Sequence, residues 1–194
     1  NLRVLHVNHG WTERSEYWAA HCESVSRELA VPFDSFRLGS DPAPDNHSAG
    51  FVGSSKEAKA RAARYGWFSD VVDREDVLLT GHHLDDQAET LLLRLMRGSS
   101  VRGLAAVHSQ QTLGRLRVLR PFLDVSRDTL ARWVSEKRLR VLDDPSNNDD
   151  AFDRNFLRQA ILPRLRSRWP ETAQILGRAA VHFEGTQTLL DEVA

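Results

Sequence analysis

Apolar and polar positions alternate through Leu2-Arg3-Val4-Leu5-His6-Val7-Asn8 and stop at His9-Gly10, as in a half-buried strand. From Glu16 to Ala30 the spacing changes, with Trp18, Cys22, Val25 and Leu29 recurring at helical intervals. Val31 to Leu38 returns to strand alternation through Phe33, Ser35 and Arg37. Residues 39–55, GSDPAPDNHSAGFVGSS, have no period and predict a long mobile loop. Lys56 to Ser69 predicts a helix capped by Ser54 or Ser55, with Ala58, Ala62 and Tyr65 on one face. Asp76 to Thr80 predicts a short buried strand that feeds directly into GHHLDDQAETLLLRLMRG, residues 81–98. That stretch predicts an amphipathic helix, with Leu92, Leu95 and Met96 on its apolar face and His82, Asp86, Glu89 and Leu93 on one stripe.

Further along, Leu116 to Leu119 predicts a strand, and Ser126 caps a helix from about Arg127 to Lys137. The acidic, turn-rich residues 143–150 then lead into helices broken at Pro163 and Pro170. Strands alternating with helices predict an α/β fold, a parallel sheet with helices on its faces. Such sheets bind ligands where strands end and helices begin, and both His9-Gly10 and Gly81-His82-His83 fall there.

Composition narrows the classes. With 41% apolar and 27% charged residues, 194 residues can bury a core. No apolar run approaches the ~20 residues of a membrane span, and the N-terminus does not resemble a signal peptide. Cys22 is the only cysteine, which excludes a disulfide framework and multi-cysteine metal sites and predicts a reducing, cytoplasmic compartment. Net charge is -1, but from Gly114 to Arg168 basic residues, nearly all arginine, outnumber acids 13 to 8. That surface is either simply solvated or a contact for phosphate oxygens, which suit the guanidinium fork.

Acids near a helix N-terminus favour the helix dipole, which by itself accounts for Asp85, Asp86 and Glu89. The H-E-x-x-H spacing of a metalloprotease is absent, so no zinc site is expected from these residues. Two histidines directly after a strand and a glycine are not covered by the dipole. Amides and imidazoles there suit phosphate oxygens, and the carboxylates suit a cationic substrate or Mg²⁺. Taken alone, Glu57 to Arg61 reads first as an exposed helical charge pattern, and Arg154-Asn155 with Arg158 as a salt-bridged helix start.

Together these segments resemble the tRNA(Ile)-lysidine synthases of the N-type ATP-pyrophosphatase (PP-loop) superfamily. The matching stretches are HVNHG (6–10), EAKAR (57–61) followed by Arg64-Tyr65, GHHLDDQAETLLLRLMRG (81–98), RPFLDVSRDTL (120–130) and DDPSNNDDAFDRNFLRQAILPRL (143–165). Related enzymes share the HHxDDQxET helix in looser form, whereas its combination with DDPSN and RNxxR is more specific. The resemblance implies a doubly wound, adenine nucleotide alpha hydrolase-like sheet over residues 1–125 and a helical extension over 126–194 packing on it. It implies ATP-dependent ligation of L-lysine to C2 of the wobble cytidine in the CAU anticodon of tRNA(Ile), through an adenylated tRNA, releasing AMP and pyrophosphate.

By the same resemblance, His82 assists adenylation, Asp86 and Glu89 hold the lysine, and Arg61 lies near both ATP and lysine. Arg154, with Arg158 as second choice, acts at the activated intermediate. Val7, Asn8, His9 and Gly81 line the ATP site. ATP, Mg²⁺, L-lysine and tRNA(Ile) are the implied ligands, and a homodimer is compatible, since relatives are often dimers. The family's SGGxDS loop, which binds phosphates and Mg²⁺, would lie upstream of Leu2, so roughly 20–40 further residues are expected there. Without it this chain alone is expected to be inactive. The stretch Arg97-Gly98-Ser99-Ser100 has serine where relatives often have a second glycine, and relatives often continue into small C-terminal tRNA-binding domains. Two rival readings are a tRNA thiolase of the same superfamily, whose two-thiocytidine members use paired cysteines, and a degenerate, non-catalytic tRNA-binding module.

Overall fold

The computed structural model describes residues 2–10, 14–38, 56–144, 149 and 152–193, with the side chains of 56–58 excepted. The loop predicted at 39–55, its caps Ser54 and Ser55, and residues 145–148 and 150 of the acidic segment lie outside the described residues. Two compact units result, one of Asn1–Leu78 with Thr112–Arg117 and one of Leu79–Gln111 with Val118–Ala194. Compactness therefore groups the chain differently from the chain-order division into 1–125 and 126–194. The predicted active-site helix falls in the same unit as the C-terminal helices because it packs on them.

In the first unit, strand β1 (Val4–Asn8) pairs in parallel with β2 (Phe33–Arg37), from Val4 opposite Phe33 to Asn8 opposite Arg37. A parallel pair needs a long crossover, which helix α1 (Ser15–Glu28) supplies. Helix α2 (Lys56–Val71) buries Ala60, Tyr65 and Phe68, and Val72 is buried just beyond it. Phe36 stacks on Trp67 at 5.4 Å and Tyr65 meets Phe68 edge-on at 5.8 Å, joining strand to helix through aromatic area. Arg3 ties the same elements, pairing with Asp34 at 3.3 Å and donating to the Val71 carbonyl.

Strands β3 (Val77–Leu79), β4 (Gln110–Leu113) and β5 (Leu116–Leu119) form a sheet in the order β3-β5-β4. The sequence pattern did not disclose β4, whose Gln-Gln-Thr-Leu is too polar to read as a strand. Its two-residue link to β5, with Gly114 at φ +60°, is the geometry of an antiparallel hairpin. β3 is not the buried strand expected. It is three residues long at the sheet's edge, and Leu79 is 52% exposed.

The second unit is helical: α3 (Leu84–Met96), α4 (Val101–Leu104), α5 (Arg127–Glu136), α6 (Asp153–Phe156), α7 (Leu162–Arg168) and α8 (Thr172–Val193). Leu84 and Ala88 of α3 pack with Leu162 and Ala173, and Leu91 packs with Ala106 and Ala180. The inward face is thus Leu84, Ala88 and Leu91 with Leu92 beside them. Leu95 and Met96, expected there, are exposed, because the last turn of α3 runs beyond the packed surface. A Cβ on Gly177 would meet Leu84 Cδ1 at 2.7 Å, so any larger residue there would displace the Leu84 side chain where α8 crosses α3. Gln87 completes the attachment of α3 by bonding both backbone groups of Val107, at 2.9 and 2.7 Å.

Ser126 caps α5 as predicted, accepting from the Thr129 N–H at 3.2 Å. The break expected at Pro163 does not occur. A π-helical turn, Leu157–Ile161, joins α6 to α7, and the Leu162 N–H reaches back to the Leu157 carbonyl. The wider turn accommodates a proline that has no N–H to donate and a ring that would crowd the preceding carbonyls. At Pro170 the helix does end, with Trp169 extended at φ -128°, ψ 90°.

Candidate active site

The segment between β3 and α3 is built on two local devices. The Thr80 N–H donates to the Leu119 carbonyl at 3.0 Å, fixing the strand's exit, and the Thr80 hydroxyl lies 2.9 Å from His82 Nδ1. His83 is the N-cap of α3. Its ring Nδ1 accepts from the Asp86 N–H at 3.3 Å while its own N–H donates to Asp86 Oδ2 at 3.0 Å, a reciprocal capping box. His82 therefore precedes the helix and does not share the stripe of Asp86 and Glu89, contrary to the periodic reading. The paired histidines separate into a cap and a side chain held at the strand's end. Gly81 is exposed, and a Cβ there would meet nothing within 4 Å.

One turn further along α3, Glu89 is 1% exposed and fully engaged. Its Oε2 accepts from Arg154 Nε at 2.8 Å, and its two oxygens accept from Arg158 Nε at 2.7 Å and Nη2 at 3.0 Å. Asp86 Oδ1 stands 3.7 Å from Arg158 Nη2 and 3.9 Å from Arg154 Nη2, outside hydrogen-bond range. Arg154 Nη2 also donates to Thr90 Oγ1 at 2.8 Å. Residues four apart on an α-helix are offset by about 40°, and the π turn opening at Leu157 widens the helix between these two arginines, so both address one carboxylate. The hydrogen bond to Glu89 holds the Arg158 guanidinium above its ordinary range, against the opposing effect of burial.

Asp85, buried behind the cap, accepts from the Arg127 N–H at 2.7 Å and pairs with Arg166. Sequence reasoning missed both partners, which lie 42 and 81 residues away with no local signal. Three carboxylates thus face three guanidiniums, and the cluster is internally neutral. Asn155, between the two arginines, is buried and donates to the Asp149 carbonyl at 2.8 Å, anchoring the start of α6.

The other predicted residues lie in the first unit. Val7 is half-buried in the β1–β2 ladder opposite Phe36. Asn8 is buried, its Oδ1 accepting from the Gly10 N–H at 2.8 Å and its Nδ2 donating to Glu16 at 3.1 Å, so its side chain shapes the turn at the strand's end. Gly10 has φ +63°, which explains a glycine there. Burial depresses the pKa of His9, with Arg64 and His6 adding to the effect. Arg61 lies over the Tyr65 ring at 4.8 Å. Arg64, one residue before Tyr65, has a buried Nε with no hydrogen bond among the described residues, and burial followed by the Arg61 charge lowers its pKa.

Parallel strands joined through helices, with polar side chains gathered where strands end, define an adenine-nucleotide-type α/β protein with a helical C-terminal part. Residues 1–165 match the PP-loop domain model, and the chain belongs to that family. It is 45% identical over 193 residues to the tRNA(Ile)-lysidine synthase of Pseudomonas fluorescens, 44% to that of Pseudomonas aeruginosa and 39% to that of Coxiella burnetii. In each case the similarity covers 100% of this chain, which spans 41% of the relative's length. Among solved structures, the U34-tRNA thiolase NcsA of Methanococcus maripaludis, solved with its four-iron, four-sulfur cluster, superposes with a TM-score of 0.74. It covers 95% of this chain and 62% of the thiolase at 16% identity, a likeness of fold alone. No helix among the described residues is long and apolar enough to cross a membrane.

Proposed function

We propose that this chain forms the PP-loop part of a cytoplasmic enzyme that ligates L-lysine to C2 of the wobble cytidine in the CAU anticodon of tRNA(Ile). The observation that carries the reading is the similarity over the whole chain to proteins of that name, which includes every segment contributing a site residue. In the proposed reaction the cytosine O2 attacks the α-phosphorus of ATP and pyrophosphate leaves. The lysine ε-amine then attacks C2, forming a C–N bond. The C2–O bond breaks, AMP leaves with that oxygen, and the amine loses a proton.

His82, held at the strand's end beside Thr80, counters charge developing on the phosphate during the first step. Gly81 supports that placement: neither sterics nor a positive φ requires glycine there, so the open space is available to a phosphate or sugar. Val7, Asn8 and His9 are assigned to the ATP site. The shaped turn at Asn8 and Gly10 fits backbone approach by a nucleotide. Asp86, Glu89 and Arg61 are assigned to the lysine, and Arg154 with Arg158 to the activated tRNA. No group of three His, Cys, Asp or Glu among the described residues would cage Mg²⁺, which on ATP phosphates needs only one or two protein carboxylates. Asp85 and Glu89 are also already bonded to arginines.

The test uses the complete protein with ATP, labelled lysine and a tRNA(Ile) transcript carrying CAU. Lysine is expected in the tRNA, and omitting lysine should leave AMP-tRNA. In Asp86→Ala, AMP transfer is expected to persist while lysine incorporation falls on the order of 100-fold. Equal loss of both steps in a folded variant would remove the assignment of Asp86 to lysine. A CAU tRNA that acquires neither AMP nor lysine overturns the ligase reading and favours a binding module.

A further inference from the structure

The Glu89 cluster leaves no vacancy for a cation. Glu89 already accepts three guanidinium hydrogen bonds, and Asp86 Oδ2 accepts the His83 N–H. The charges of Asp85, Asp86 and Glu89 are balanced by Arg154, Arg158 and Arg166. An added ammonium would leave surplus positive charge around a carboxylate that is 1% exposed, in a setting where charges interact strongly. A cation enters such a site only if another leaves.

The two arginines differ in how firmly Glu89 holds them. Arg158 makes two hydrogen bonds to Glu89, and its side chain is 23% exposed. Arg154 makes one and is 41% exposed, and its Nη2 donates to the Thr90 hydroxyl at 2.8 Å and, at 3.4 Å, to the Asp86 carbonyl. Asp86 Oδ1, facing both guanidiniums beyond hydrogen-bond range, gives an incoming donor an acceptor beside the one Arg154 would vacate.

We propose that an ammonium group of the lysine exchanges with Arg154 at Glu89, so that binding the amine releases the Arg154 guanidinium toward the phosphate of the activated base. The inference rests on the lysine-ligase reading above and adds an order to it. Glu89 holds Arg154 until the amine arrives and then holds the amine. The exchange couples the two ligands: a phosphate group that attracts Arg154 makes room for lysine, and by linkage lysine tightens the nucleotide by the same factor.

Calorimetric titration of lysine into the complete protein, with and without a non-hydrolysable ATP analogue, tests this. Wild type is expected to bind lysine more tightly with the nucleotide. Arg154→Gln should bind lysine without nucleotide on the order of tenfold more tightly than wild type and lose the nucleotide effect, although lysine transfer to tRNA fails. Thr90→Val keeps every charge but removes one anchor of Arg154, and should tighten lysine binding about threefold. A merely structural role for Arg154 predicts weaker or unchanged lysine binding. If folded Arg154→Gln and Thr90→Val bind lysine no more tightly than wild type, the exchange is wrong and the ligase reading survives. If wild type binds no lysine under either condition, the ligase reading fails and takes this inference with it.

Discussion

Two groups of cationic side chains, one in each unit, have opposite electrostatic settings. In the helical unit, Arg158 lies against a buried carboxylate and its pKa rises. In the strand unit, Arg64 is desolvated beside Arg61, His9 beside Arg64 and His6, and both are pushed toward their neutral forms. The first arrangement satisfies its own charges and must be opened to admit a ligand. The second carries a cation whose buried Nε has no hydrogen-bond partner among the described residues. Charged residues of similar appearance in sequence can therefore stabilise one region and burden another.

Removing the hub should have the largest effect. Glu89→Ala leaves two guanidiniums without their shared carboxylate, and the unfolding free energy measured by urea denaturation is expected to fall by about 3 kcal/mol. Asp85→Ala should cost less, about 2 kcal/mol, through the lost Arg127 N–H and Arg166 bonds. Arg64→Met sharpens the contrast by its sign. It removes a desolvated cation, and stability should stay within about 0.5 kcal/mol or rise; a loss like that of Glu89→Ala would show that Arg64 stabilises its unit as Arg158 does.

The pH dependence of the strand unit should be the smallest effect. Burial lowers the pKa of His6 below 6.5, and His9 is lowered by burial with Arg64 and His6. Below 6.5 the unfolded chain takes up protons that the folded chain resists, so stability should decline as pH falls through that value and level off below the folded pKa. Denaturation of the His6→Leu, His9→Gln double variant across the same range should give a flatter profile. An unchanged slope would exclude these two histidines as its source.

Much of the fold was legible because it is written at short range. β1, α1, β2, α2, α3 and α5 follow from periods of 2 and 3.6, and Ser126 from the preference of hydroxyls for N-caps. β4 was not legible, since its identity depends on the hairpin partner β5 more than on its own polar residues. The π turn was read as a break, because a proline specifies what the backbone cannot do and leaves open how a neighbouring turn will adjust. Of the candidate site, position at the strand's end was legible, but the division of labour between His82 and His83 depended on which residue begins the helix.

Most of the elements, the family resemblance and the residues carrying the chemistry of GHHLDDQAET and RNxxR can be read from the chain alone. These properties depend on spacing along the chain. The burial of Glu89, its sharing by Arg154 and Arg158, and the commitment of Asp85 to Arg127 and Arg166 arise from packing. Those pairings span more than 40 residues and exist because α3 packs against the C-terminal helices. A charge's partner, and hence whether it is available to a substrate, is set by that packing.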